Sequence, residues 1–314
     1  MDRSLLIFRL VVVLASATAF GQVTLGGVVR VTDSGLGCPD WPLCHGRLIP
    51  SFDSATLIEY SHRLSASLLT VLVVATAALS WRYYRNRPWV MLPSALALGL
   101  VVLAAVLGAA TVLTELSSWF VMLHLGIAEM LIGALIVAAI AGWSAAAPLP
   151  GTDADAQPRT MFKWVMPYTI VGVLTLILWG SYMVGYGAGS ACSTWPLCRG
   201  SLFPDGTASA IHMGHRLFVG VVGLFVAGTS FSAWSRRRAH SAAAWTGALL
   251  LAVYGLQVLL GAATVWTGFP AEMKALHLSL ATLVWIILVV VATMVYSPRR
   301  QVTPAAAALS HQQA

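Results

Sequence analysis

Eight stretches of this chain are long and apolar enough to cross a lipid bilayer, and nothing else in the sequence constrains its fold as strongly. A helix needs about 20 apolar residues to span the hydrocarbon core. The segments 9–29, 61–81, 92–114, 118–142, 164–186, 210–234, 243–266 and 273–296 meet that requirement. The predicted fold class is therefore an all-α membrane protein with eight transmembrane helices. Only 9% of the residues are charged and 58% are hydrophobic, against roughly 25% charged in a soluble domain, which excludes a soluble globular protein. Disorder is excluded by 12 Trp, 10 Phe and 8 Tyr, too much apolar mass for an unstructured chain. The formal charge of +7 comes from basic residues scattered between the spans, so the expected partner is the lipid bilayer and not nucleic acid.

The basic residues also set an orientation. Arg3, Arg9, Arg82, Arg85, Arg87, Arg159, Lys163, Arg236, Arg237, Arg238, Arg299 and Arg300 fall on one side of the predicted spans. Arg30, Arg47, Arg63, Arg199, Arg216 and Lys274 fall on the other. The positive-inside rule then makes both termini cytoplasmic and turns 30–60 and 187–209 into the two large external loops. Ala17-Thr18-Ala19 has the small residues of a signal-peptidase site, but apolar sequence continues to Val29, so the first segment is read as a span.

The two halves of the chain repeat each other. Leu107–Val112 recurs as Leu260–Val265, His62-Arg63-Leu64 as His215-Arg216-Leu217, and His124 as His277, all at a shift of 153. Cys38 with Trp41-Pro42-Leu43-Cys44 recurs as Cys192 with Trp195-Pro196-Leu197-Cys198 at a shift of 154. This predicts two four-helix bundles, 1–146 and 163–298, joined by a polar cytoplasmic linker at 147–162 and followed by a disordered tail at 299–314. An even number of spans per half makes the repeats parallel, related by an axis along the membrane normal. The Leu-Gly-Ala-Ala-Thr-Val copies suit close helix packing through small residues.

Ionisable groups inside a span are costly and point to function. His62, His124, His215 and His277 each lie near the external start of an even-numbered span, within roughly 10 Å of it at 1.5 Å per residue. Two imidazoles facing each other across each bundle suit bis-histidine ligation of a haem iron. Zinc is disfavoured, since no Cys or carboxylate cluster completes a tetrahedral site at that depth.

Glu59 breaks the symmetry. It precedes His62 by three residues and shares its helical face if the helix begins early enough, whereas His212 holds the equivalent place in the second half. A carboxylate beside one haem and not the other suggests one catalytic site and one cofactor site; alternatively Glu59 is an exposed residue favouring the helix N-terminus. Arg63 and Arg216 follow the ligand histidines and either meet haem propionates or anchor the helices at the headgroups. Glu129, opposite Thr282 in the repeat, is a second buried carboxylate on a different face from His124 and has no assigned role.

Cys38 and Cys44, like Cys192 and Cys198, are expected to close local disulfides in an oxidising exterior, each capping the outer mouth of its bundle. Cys192–Cys198 is read as structural. For Cys38–Cys44 a structural role and a thiol–disulfide electron relay both stay open.

The run Gly26–Pro42, with Val29-Arg30-Val31-Thr32-Asp33-Ser34-Gly35-Leu36-Gly37-Cys38-Pro39-Asp40-Trp41-Pro42 at its centre, resembles the first external loop of the haem A synthases. Ile58-Glu59-Tyr60-Ser61-His62-Arg63 resembles their Glu-x-x-His-Arg motif, and the four histidines, two cysteine pairs and duplicated plan are similar to bacterial members over nearly the whole chain. The resemblance implies oxidation of the C8 methyl of haem O to a formyl group by two successive hydroxylations, with oxygen from water, for cytochrome oxidase assembly. It implies substrate haem O between His62 and His124 with Glu59 as the essential carboxylate, and haem b as cofactor between His215 and His277. Haem O synthase and an unidentified electron acceptor are the implied partners. The competing classes are a di-haem b-type quinol oxidoreductase, a haem transporter or chaperone, and a purely structural membrane subunit.

Overall fold

A computed structural model describes residues 3–144, 160–235, 237 and 241–296. The tail expected at 299–314, and the linker expected at 147–162 up to residue 159, lie outside the described residues. Those residues hold eight helices: α1 (Arg3–Val31), α2 (Ser54–Tyr84), α3 (Pro88–Leu113), α4 (Ser118–Ser144), α5 (Thr160–Gly185), α6 (Thr207–Trp234), α7 (Ser241–Trp266) and α8 (Ala271–Tyr296). All eight are long and apolar enough to span a bilayer, which suits a solvent where every backbone N–H must find its partner within the segment.

Most helices overrun their apolar windows, and α2 does so by the most. It starts at Ser54 and not at 61, because Asp53, in extended conformation, accepts a hydrogen bond from the Thr56 N–H at 3.0 Å. That N-cap satisfies a donor that the start of a helix leaves orphaned. The polar first turns of α2 were invisible to a hydropathy window. They carry Thr56 and Glu59, both buried, and so bring Glu59 inside the fold.

Within the first half α1 packs on α2 and α4, α2 on α3, and α3 on α4; α5 to α8 repeat that ring. Between the halves α1 meets α8, α5 meets α4, and α4 meets α8. Exchanging the halves converts the first contact into the second and leaves the third unchanged, a pattern consistent with a two-fold relation. At the central seam Gly133 of α4 packs against α8: a Cβ there would lie in ordinary van der Waals contact, 3.6 Å, with the Trp285 ring. Phe8, Val12, Val73, Ile132 and Leu135 fill one core and Met166, Val222, Val226, Leu250 and Leu288 the other.

The outer faces are apolar. Leu10, Val71, Leu103 and Leu224 point outward and are exposed, as side chains facing acyl chains are. Exposed Trp81, Trp89, Trp164 and Trp245 ring one end of the helices, and Trp119 and Trp266 sit at the other. These two belts are where amphipathic indoles settle at membrane interfaces.

Candidate functional site

His62, His124, His215 and His277 all lie about two turns into α2, α4, α6 and α8, at the end of the bundle that carries the cysteine loops. Each imidazole rests against a glycine of the preceding helix. A Cβ would meet the Cε1 of His62 at 3.0 Å from Gly26, of His124 at 3.3 Å from Gly108, of His215 at 3.7 Å from Gly180 and of His277 at 3.0 Å from Gly261. Gly108 and Gly261 belong to the repeated Leu-Gly-Ala-Ala-Thr-Val segments, so those copies do more than pack helices: they leave room for an imidazole ring. Within each half the two imidazoles lie in electrostatic range of each other, His62 with His124 and His215 with His277.

The polar partners of these rings were not foreseen. Gln22 of α1 donates from Nε2 to the His62 carbonyl at 3.1 Å and lies 3.2 Å from both ring nitrogens. Gln257 of α7 repeats the arrangement on the other half's even helix, donating to the His277 carbonyl at 2.9 Å with its Nε2 3.3 Å from the ring Nε2. The His124 Nδ1–H donates to the Ala104 carbonyl at 2.9 Å, which orients a ring and fixes its tautomer as second-shell bonds to ligand histidines do. A glutamine inside an apolar span is itself a signal, since its amide must find partners there.

Two observations test whether these residues fit a haem. Among the described residues the Nδ1 atoms of His215 and His277 are buried without a hydrogen-bond partner, a costly state for a polar atom unless a ligand is present to reorganise the site. Both rings also line a cavity of about 690 Å³ in the second half, walled mainly by apolar side chains such as Val173, Leu176, Ile177 and Val258. That volume falls in the range of cofactor pockets. Among the described residues no three His, Cys, Asp or Glu side chains gather as a metal site. Paired imidazoles suit an iron whose other ligands come from a macrocycle. The residues around His215 and His277 fit the group.

Glu59 is 5% exposed, so the alternative of an exposed helix-end carboxylate does not hold. Its Oε1 accepts from Arg63 Nε at 3.0 Å. The other donors of Arg63 reach the carbonyls of Asp40, Leu43 and Cys38, each at 2.7 Å. Arg216 does the same in the second half, donating to the carbonyls of Thr194, at 2.6 Å, and Cys192, at 3.1 Å. Both arginines therefore hold the cysteine loops down onto the helices, a role beyond the propionate and headgroup readings. His212 stands in for Glu59 as the acceptor: its Nδ1–H donates to the Ala188 carbonyl at 3.1 Å, leaving Nε2 to accept from Arg216 at 3.3 Å. The two halves thus share one clamp, and only the first closes it on a carboxylate.

Both cysteine pairs are disulfide-bonded and almost fully buried. Each is followed by a short return in which Cys44 pairs with Arg47 and Cys198 with Ser201. Asp40 accepts from the N–H groups of His45 and Gly46 at 2.6 and 2.7 Å. These backbone bonds, Gly46 foremost, hold its carboxyl below the ordinary carboxylate range. In the second loop Thr194 Oγ1 accepts from Arg199 N at the matching place. Trp195, Pro196 and Leu197 form part of the cavity wall, so this loop caps the site as the spacing predicted.

A family model described as COX15-CtaA, cytochrome oxidase assembly protein, matches residues 9–56 and 51–289. The chain is 30% identical over 286 residues to a protein named heme A synthase from Exiguobacterium sibiricum, covering 90% of this chain and 92% of that one. It is 33% identical over 281 residues to a heme A synthase of Symbiobacterium thermophilum (84% and 87% covered) and 29% identical over 306 residues to that of Halalkalibacterium halodurans (92% and 98%).

Proposed function

The chain belongs to the COX15-CtaA family of cytochrome oxidase assembly proteins, and on that premise we propose that it is a haem A synthase, an integral membrane oxidoreductase that oxidises the C8 methyl of haem O to a formyl group. The observation that carries this reading is the pairing of duplicated imidazoles with a carboxylate present in one half alone, in a chain whose relatives bear that name. In this reading the first half takes substrate haem O between His62 and His124. The second takes haem b between His215 and His277. Both termini lie in the cytoplasm and the cysteine loops outside, in keeping with the basic residues gathered at the other end of the helices.

The reaction balances as methyl plus one water giving aldehyde, four protons and four electrons. Two hydroxylations each add a water oxygen, and the resulting geminal diol loses one water. His215 and His277 would hold haem b, which would supply one-electron redox chemistry there, and the four electrons are delivered to an external acceptor. Glu59 sits on the substrate histidine's helical face with one carboxylate oxygen held by Arg63. It offers negative charge to a methyl carbon losing electrons and a base to the attacking water. Haem O synthase is the proposed source of substrate.

Expressing the chain with a haem O synthase and identifying the extracted haems by chromatography tests the reading. Haem A is the expected product. Haem O and haem B recovered unchanged, with the protein folded and haem-loaded, would establish a di-haem electron-transfer protein or a haem carrier instead.

A further inference from the structure

The cavity around His215 and His277 is not built from the second half alone. Gly27, Arg30 and Val31 of α1 and Leu125 of α4 line it too, because α1 packs along α8 and α4 along α5. Arg30 is the charged member of that group. Its guanidinium crosses from the first half to the second, donating to the Ser181 hydroxyl at 3.2 Å and the Ser181 carbonyl at 3.3 Å. Two of its five N–H donors are spent there, and the group remains on the cavity wall.

Two other cations line the same cavity, Arg216 and Lys274. Arg216 directs its terminal nitrogens at the carbonyls of the cysteine loop and at His212. Lys274 is an exposed residue in the first turn of α8, at the mouth. The repeat has no copy of either Arg30 or Lys274. The shift of 154 that relates the cysteines places Val184 opposite Arg30, and the shift of 153 places Val121 opposite Lys274. The second half's cavity therefore receives two positive charges where the corresponding places by the first half are apolar.

We propose that Arg30 is a carboxylate-binding residue for the tetrapyrrole held between His215 and His277, supplied to the second half by the first, with Lys274 closing the same end of the cavity. A porphyrin with two ionised propionates brings two negative charges into a low-dielectric wall. It needs donors of fixed geometry there, and a guanidinium pinned by Ser181 provides them. The inference rests on the reading of the second half as a haem site. It adds that this site is complete only when the two halves are together.

The test uses the full chain in detergent carrying H62A and H124A, so that only the second pair binds. The apoprotein is titrated with iron protoporphyrin IX and with its dimethyl ester, which lacks the charges. The parent should prefer the free acid by roughly tenfold, the scale of one charge-assisted contact. R30Q should bind the ester as the parent does and lose most of that preference, and R30K should recover a large part of it. An undiminished preference in R30Q, or no more preference in R30K than in R30Q, overturns the proposal, since a merely structural role for Arg30 would weaken both porphyrins alike. A parent chain that binds neither porphyrin overturns the haem reading itself, and the assignment of Arg30 with it.

Discussion

Thr282 donates its hydroxyl proton to Glu129 Oε1 at 2.6 Å, and the two residues stand 153 positions apart, the shift that relates the repeats. Each thus bonds to its own counterpart, which two equivalent residues can do only beside an axis of exchange. Glu129 is completely buried, and its carbonyl accepts from the Trp285 indole at 2.7 Å. The carboxylate left unassigned by its face on α4 is therefore a pin between α4 and α8 at the centre of the molecule.

Removing the hydroxyl by T282V leaves a buried carboxyl without its donor. The expected loss is about 1 kcal/mol, the scale of interhelical hydrogen bonds in membranes, read as unfolding in detergent. Adding E129L should recover much of it, since deleting both partners of a buried bond costs less than deleting one. A T282V chain as stable as the parent would contradict the pin.

The glycine seats make an ordered prediction. A methyl group at Gly26 or Gly261 would come within 3.0 Å of an imidazole carbon, at Gly108 within 3.3 Å and at Gly180 within 3.7 Å. Haem content per chain should therefore fall most in G26A and G261A, less in G108A and least in G180A. Pyridine haemochrome assay of the purified variants measures this, and G180A as the most damaging of the four would contradict the packing.

Much of this was legible beforehand. Span number, the repeat, the histidine pairs and the disulfides all follow from residue types that are costly in lipid or recur in register. What was not legible depends on three-dimensional neighbours. Glu59 is buried because Asp53 starts α2 early, whereas a hydropathy window sees only the apolar part of a helix. Arg63 and Arg216 find loop carbonyls, and any backbone offers those without a sequence mark. Arg30 reaches Ser181 from the other half, a contact no spacing announces. Gln22 and Gln257 did carry a signal, being amides in apolar spans, but the repeat hides it: Leu176 and Ala104 stand in their equivalent places.

Glu59→Gln keeps an acceptor for Arg63, as His212 does for Arg216, but removes the charge. Haem binding and loop protection from proteases should be unchanged, while haem A output falls by at least about 100-fold, the scale of a general-base contribution. Chromatography of extracted haems would show haem O, with or without its hydroxymethyl derivative. Normal haem A from E59Q would remove the carboxylate from the chemistry.

The cap at Asp53 sets an acid limit on the start of α2. Its carboxyl is held down to about 2, first by the Thr56 N–H and then by the Thr56 and Ser51 hydroxyls. A depressed folded value stabilises the folded state above the unfolded carboxylate range and loses that effect as pH falls toward about 2. Amide exchange at Thr56 should therefore stay protected from pH 7 to about 4 and weaken below it. D53A should remove the protection at every pH, and equal protection in D53A would show that the cap is idle.

Counting the irons clasped by the two histidine pairs decides the matter most directly. Haem per chain and the low-spin electron paramagnetic resonance signals should be compared for the parent, H62A/H124A and H215A/H277A, each isolated with its bound haem. Two bis-imidazole signals are expected in the loaded parent, with each double variant losing a different one and keeping the other. Signals and haem content unchanged by removal of either pair would mean that these imidazoles grip no iron.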